Sequence, residues 1–215
     1  MMNEAIEMLD SQADSEQEAS RAIADNLLAA FQKQRKSYLA DPIPSLEQRQ
    51  QDLKNLKRML NENLDAIVNA ICEDYGNRSR HESLFAEVIA VTDGINDTIR
   101  KLKKWMKPQK RHVDFTLYPG AKNRVIPQPL GVVGLIIPWN FPINLSFSQL
   151  TAVFAAGNQA MVKMSENSRS LTRVLMEISP RYFPEEKLMW FEETGGVVIE
   201  FSHLWCWNWA VNHRR

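Results

Sequence analysis

Apolar residues recur at helical spacing through the first half of the chain, and the period shortens near residue 112. Ser15 and Glu18 have the S-x-x-E spacing of a capping box and open a segment with Ile23, Leu27, Leu28 and Phe31 along one side. The pattern predicts a helix over 15–39 that stops before Asp41-Pro42-Ile43-Pro44. Ser45 and Gln48 repeat the capping signal. Leu53, Leu56, Leu60, Leu64, Ile67, Val68 and Ile71 then carry one stripe to Tyr75-Gly76. A third stripe, from Leu84, Phe85 and Val88 through Val91, Ile95, Ile99, Leu102 and Trp105, predicts a helix ending before Pro108. Residues 1–14 are polar and acidic and read as a disordered end.

Residues 112–118 alternate polar and apolar, as a strand with one wet face does. Pro119-Gly120 turns, and Arg124-Val125-Ile126 begins the hairpin partner. A hairpin between helices and a buried sheet reads as an arm whose edges invite pairing with another subunit. Residues 132–137 form an unbroken apolar run, the pattern of a strand covered on both faces of a parallel sheet. A helix over 143–156, a stop at Gly157-Asn158 and a strand over 159–163 complete one βαβ unit. Ser168 is placed to cap a further helix through Leu171, Val174, Leu175 and Ile178. The fold class is therefore α/β. It comprises a helical region at 15–111, a hairpin arm at 112–129 and the first units of an α/β domain at 130–204.

Composition changes little. Hydrophobic residues make up 44% of the 215 and charged residues 24%, ordinary for a soluble globular protein. Lys+Arg and Asp+Glu both count 26, so the balance argues for neither nucleic acid nor membrane as a partner. The seven bases at 100–111 read as a solvated helix end, where positive charge complements the dipole. No apolar run approaches the roughly 20 residues of a membrane span, and the N-terminus shows no secretory signal, so a cytoplasmic location is expected. Cys72 and Cys206 have no CxxC or His cluster beside them, which predicts reduced thiols and no metal site. Cys72 lies on the apolar side of its predicted helix and reads as a buried small hydrophobe.

Ligands of open α/β sheets bind beyond the carboxyl ends of the strands. Two segments follow such ends, Pro138-Trp139-Asn140-Phe141-Pro142 and Lys163-Met164-Ser165-Glu166. Prolines stiffen the first, so Asn140 is either a preorganised amide donor toward an oxyanion or simply a turn residue. Lys163 and Glu166 suit ribose hydroxyls or phosphate, or else form a solvated pair three residues apart. Gly131-Val132-Val133-Gly134 does not fit G-x-G-x-x-G, and no GxxxxGK[ST] occurs.

Pro129-Leu-Gly-Val-Val-Gly-Leu-Ile-Ile-Pro-Trp-Asn-Phe-Pro142 resembles the PxGxxxxIxPWNfP signature of the aldehyde dehydrogenase superfamily. Ala156-Gly-Asn-Gln-Ala-Met-Val-Lys-Met-Ser-Glu166 is similar to its AGN-x3-KPSE segment, in the right order and distance. Leu39-Ala-Asp-Pro-Ile-Pro-Ser-Leu-Glu-Gln-Arg-Gln50 and Pro127-Gln-Pro-Leu130 resemble the coniferyl aldehyde dehydrogenase branch; the likeness spans residues 20–204. It implies an incomplete Rossmann-like NAD(P)-binding domain and an oligomerisation arm near 113–129. It also implies Asn140 as the amide of the oxyanion site, with Ile136, Ile137, Pro138 and Trp139 on the nicotinamide ribose side. Lys163, Ser165 and Glu166 would contact the adenosine ribose. Met164 replaces the proline usual there, and Glu166 mildly disfavours a 2′-phosphate. The implied substrate is an aldehyde, aromatic or medium-chain, and the implied partner is a second copy or a full-length relative.

The family's reaction uses a cysteine thiolate that attacks the aldehyde and a glutamate that activates water. Both are expected well beyond residue 215, and the phosphate-side FTGST segment, expected shortly after residue 204, is absent, so the chain alone is expected to be inactive. Cys206, between Trp205 and Trp207, has none of the flanking residues of that nucleophile. Four of six tryptophans follow residue 189, which marks 205–215 as either an out-of-frame tail or a divergent terminus.

Overall fold

A computed structural model describes the backbone of residues 2–212 and the side chains of residues 18–204. Helix α1 (Met2–Ala40) begins well before Ser15, since no Gly or Pro precedes that residue to end the helical run. The predicted second helix is two, α2 (Leu46–Glu62) and α3 (Leu64–Tyr75), broken at Asn63, whose side-chain amide donates to the Met59 carbonyl. Ser45 and Gln48 form the expected reciprocal cap: each backbone N–H donates to the other's side-chain oxygen. The third helix is α4 (Arg80–Ser83), a π-helical stretch Leu84–Ile89, and α5 (Ala90–Trp105). Of the basic run, Lys103 and Lys104 close α5, while Lys110 and Arg111 belong to the strand that follows.

Strand β1 (Gln109–Arg111) pairs antiparallel with β2 (Asn123–Val125), so the hairpin exists in a different register from the one predicted. Residues 112–118 are not a strand. The Asp114 carboxylate accepts from the Thr116 and Leu117 N–H groups, and its carbonyl accepts from Tyr118. This local turn takes the donors that a strand ladder would have used.

Strands β3 (Val132–Ile136), β4 (Gln159–Lys163) and β5 (Leu188–Phe191) form a parallel sheet in the order β3-β4-β5. Helix α6 (Pro142–Ala155) connects the first two strands and α7 (Arg169–Ile178) the last two; α8 (Val197–Asn212) follows. Strand β4, the centre, is buried along its whole length, as a doubly covered strand should be. Strand β3, expected to be equally covered, is an edge and only half-buried, with Ile136 exposed.

Alternate residues of the strands feed opposite layers. Ala160, Val162, Leu188 and Trp190 join the core built by α2, α3, α5, α6 and α7, where Phe147 and Phe154 are fully buried. Each such phenylalanine contributes about 1.5–3 kcal/mol. Met161 and Phe191 instead meet Leu27, Ala30 and Phe31 of α1 and Val197 and Phe201 of α8. Gln34 fastens α1 to the sheet by donating to the carbonyls of Ala160 and Glu185. Cys72 is exposed, because α3 turns Ile67, Val68 and Ile71 inward and the residue after Ile71 outward. Among the described residues, no helix is long and apolar enough to cross a membrane, and no cluster is fit to hold a metal.

Candidate functional site

The turn into β3 is set by Asn158, whose buried Oδ1 accepts from the Leu130 and Gly131 N–H groups. Gly131, at φ +114°, lies against the Tyr38 ring. Parallel pairing of Ile136 with Lys163 then brings the two candidate segments off adjacent strand ends. Of the first segment, Ile136, Pro138, Trp139 and Asn140 are exposed. Ile137 is not. Its side chain is in the core, and its N–H donates to the Lys163 carbonyl.

The Asn140 loop is held from below by a cluster that the sequence reading missed. The guanidinium of buried Arg78 lies between the rings of Tyr75 and Phe141, at 4.8 and 4.7 Å, and donates to the Asn140 carbonyl at 2.9 Å. The Tyr75 hydroxyl donates to the Trp139 carbonyl. Arg78 also pairs at 3.2 Å with Glu87, which is wholly buried on the π-helical stretch. Glu87 accepts from Ile143 N at 2.7 Å and Asn144 N at 3.3 Å, filling the N-terminus of α6 that Phe141 leaves uncapped. Burial raises the Glu87 carboxyl above its ordinary range, against the lowering pull of those N–H groups and Arg78. A carboxylate inside an otherwise apolar stripe was the available signal.

At the second segment, Ser165 caps a 3-10 turn (Glu166–Ser168) by accepting from Asn167 N, and Glu166 is exposed. Lys163 pairs neither with Glu166 nor with solvent. Its ammonium lies 2.7 Å from Glu193 Oε2, with 7% and 5% of the two side chains exposed. Glu193 also accepts from the N–H groups of Gly195, Val197 and Val198 at the start of α8. Burial opposes its ionisation, but the hydrogen bond and charge of Lys163 and these N–H groups outweigh it, and the carboxyl titrates below its ordinary range. Met164, which stands where the resemblance has proline, is wholly buried, and its N–H donates to the Phe191 carbonyl.

Ser168 does not cap α7 with its side chain. Asp74 of α3 does, accepting from Ser170 N at 2.8 Å and Leu171 N at 3.0 Å. Glu73, Asp74, Glu166, Arg169, Ser170 and Glu193 line an open cleft of about 630 Å³ beside the ends of β4 and β5. A second, mainly apolar pocket of about 460 Å³ lies between α5 and α6, lined by Leu102, Trp105 and Ala155. Because α6 runs against the strands, this pocket sits toward their amino ends, away from both segments.

Residues 7–195 match the aldehyde dehydrogenase family. The chain is 42% identical over 180 residues to a probable coniferyl aldehyde dehydrogenase of Pseudomonas aeruginosa, covering 84% of this chain and 38% of that protein. To the coniferyl aldehyde dehydrogenase of a Pseudomonas sp. it is 41% identical over 165 residues, covering 77% of this chain and 34% of that protein. The backbone superposes on substrate-bound Staphylococcus aureus AldH with a TM-score of 0.75 at 23% identity, covering 83% of this chain and 38% of the other. The P. syringae indole-3-acetaldehyde dehydrogenase AldA, solved with NAD+ and IAA, gives 0.71 at 18% identity, covering 83% of this chain and 36% of the other. The chain thus spans less than two-fifths of these relatives. With the paired segments in place past β3 and β4 and a match along most of its length, this chain belongs to the aldehyde dehydrogenase family.

Proposed function

We propose that the chain supplies the oxyanion-donor loop and the adenosine-ribose side of an NAD(P) cleft serving aldehyde oxidation, and that the 215-residue polypeptide alone does not turn over. The parallel register that sets Asn140 and the Lys163–Glu166 segment past neighbouring strand ends carries this reading. The exposed Asn140 suits an amide donor, and Trp139, Pro138 and Ile136 offer an exposed apolar wall beside it. Exposed Glu166 and half-buried Ser165 fit ribose hydroxyls; the Lys163 ammonium is held by Glu193. The cofactor, when bound, supplies the hydride acceptor. Glu73, Asp74 and Glu166 around the cleft favour NAD over a 2′-phosphate by like-charge repulsion. The substrate class is an aromatic or medium-chain aldehyde. As thiol nucleophiles the chain offers Cys72, exposed on α3, and Cys206, whose side chain is outside the described residues.

Saturation-transfer NMR with NAD+ tests the reading: weak transfer to adenosine protons is expected, with no NADH formed from coniferyl aldehyde. No transfer at millimolar NAD+ removes the nucleotide role, and NADH formation removes the inactivity.

A second reading is favoured by the arm, where Phe115, Leu117 and Tyr118 are 66%, 71% and 63% exposed. Such a patch suits association with a second copy or a full-length relative. Replacing Phe115 and Leu117 by Ser should leave the melt unchanged and convert dimers to monomers in light scattering; a monomeric parent chain refutes this.

A further inference from the structure

Glu193 pairs with the Lys163 ammonium and also lines the open cleft. Its carboxylate satisfies the ammonium and three N–H groups at the start of α8 at once, inside a nearly closed shell. The open cleft begins on the other side of the same residue, since Glu193 and Gly195 line it together with Glu166 and Arg169. We propose that Glu193 is an internal latch, a carboxylate that competes with the nucleotide for Lys163 and keeps the cleft in a low-affinity state. This rests on the nucleotide reading of the cleft.

The competition follows from charge and geometry. Lys163 has one short ionic contact, and Glu193 supplies it. A ribose hydroxyl is neutral and a weaker partner for an ammonium than a carboxylate is. A ligand that needs the released lysine therefore binds only the fraction of molecules in which the pair is open, and its affinity falls by that fraction. Glu193 is also the fourth acidic side chain at the cleft, after Glu73, Asp74 and Glu166, so removing its charge favours any phosphate-bearing ligand.

Glu193→Gln keeps an oxygen for the α8 N–H groups and removes the charge. With an open fraction of about 1–10%, NAD+ should bind the variant roughly ten- to a hundredfold more tightly in calorimetry. The gain should vanish in the Glu193→Gln/Lys163→Gln double variant; a gain that persists there is general relief of negative charge and overturns the latch. Equal affinity of parent and Glu193→Gln overturns it while leaving the nucleotide reading intact. No binding by either protein overturns both the nucleotide reading and the gating. The unaltered chain gives a test independent of variant folding. Its Lys163 should react with an N-hydroxysuccinimide ester at least about tenfold more slowly than exposed Lys107, and equal rates overturn the proposal.

Discussion

Replacing Glu87 by Ala removes the acceptor of two α6 N–H groups, Ile143 at 2.7 Å and Asn144 at 3.3 Å, and the charged partner of Arg78. Arg78 has 5% of its side chain exposed, so water does not replace the lost carboxylate. Truncating one side of a buried ion pair costs about 3–5 kcal/mol, because the surviving charge stays buried. Against a total stability of about 5–15 kcal/mol, that is a large fraction. Glu87→Gln retains an acceptor for Ile143 and should cost less, about 1–3 kcal/mol. If the two residues act as a unit, Arg78→Met combined with Glu87→Gln should fall short of the summed single losses by about 0.5–3 kcal/mol. Urea unfolding of the parent, the Glu87→Ala, Glu87→Gln and Arg78→Met variants and the double variant at constant m-value measures this. The raised pKa adds a sign test. The folded state binds the Glu87 proton more tightly than the unfolded state, so stability falls as pH rises from the ordinary carboxyl range to the raised value. Glu87→Gln should flatten that fall. Full additivity, or a Glu87→Ala loss under about 1 kcal/mol, refutes the reasoning.

Asp74→Ala should cost about 1–2 kcal/mol in the same melts by uncapping α7, with faster amide exchange at Ser170 and Leu171; Asp74→Asn should lose less. Gly157→Ala should destabilise by more than the roughly 1–2 kcal/mol of a left-handed residue alone. Its φ is +86°, and a Cβ there meets Arg49 Cζ at 2.8 Å and Pro44 Cγ at 2.9 Å. An unchanged thermal midpoint would contradict that packing. Glu193 contributes stability above its unfolded pKa that is lost as pH falls through its lowered folded value. Thermal melts against pH should therefore show a shallower acid decline in Glu193→Gln, the opposite sign to Glu87→Gln.

Elements whose evidence is local could be read from the sequence. The Ser45–Gln48 cap, α6 between Pro142 and Gly157-Asn158, and the short strand from Gln159 to Lys163 each carry their own punctuation, and the structure has them within a residue or so. Elements that depend on neighbours went astray. The alternation over 112–118 is real, but Asp114 offers those N–H groups a nearer acceptor than any strand. The apolar run at 132–137 suits a central strand, yet which strand is central depends on the order β3-β4-β5, and only β4 has a partner on each side. Glu87 stands inside a stretch read as an apolar stripe and Arg78 between two predicted helices, and only the fold closes one over the other.

The polar partners of the candidate site follow from register rather than spacing. Glu166 is three residues from Lys163 but enters a 3-10 turn facing solvent, where its charge needs no partner. Glu193 is thirty residues away, but β5 pairs Phe191 with Lys163 in parallel and so delivers Glu193 just past the lysine. Burial then decides between the two carboxylates. An ion pair strengthens as the effective dielectric falls, and at Glu193 three N–H groups share the cost of removing the carboxylate from water. The capping of α7 obeys the same logic. Ser168 is adjacent in sequence, but Asp74, 96 residues before Ser170, brings a charged acceptor with two oxygens to two N–H groups. A lysine read as cofactor-facing from its motif is thus, in the folded chain, the counter-ion of a residue outside that motif. Whether a nucleotide can reach it depends on how firmly Glu193 holds.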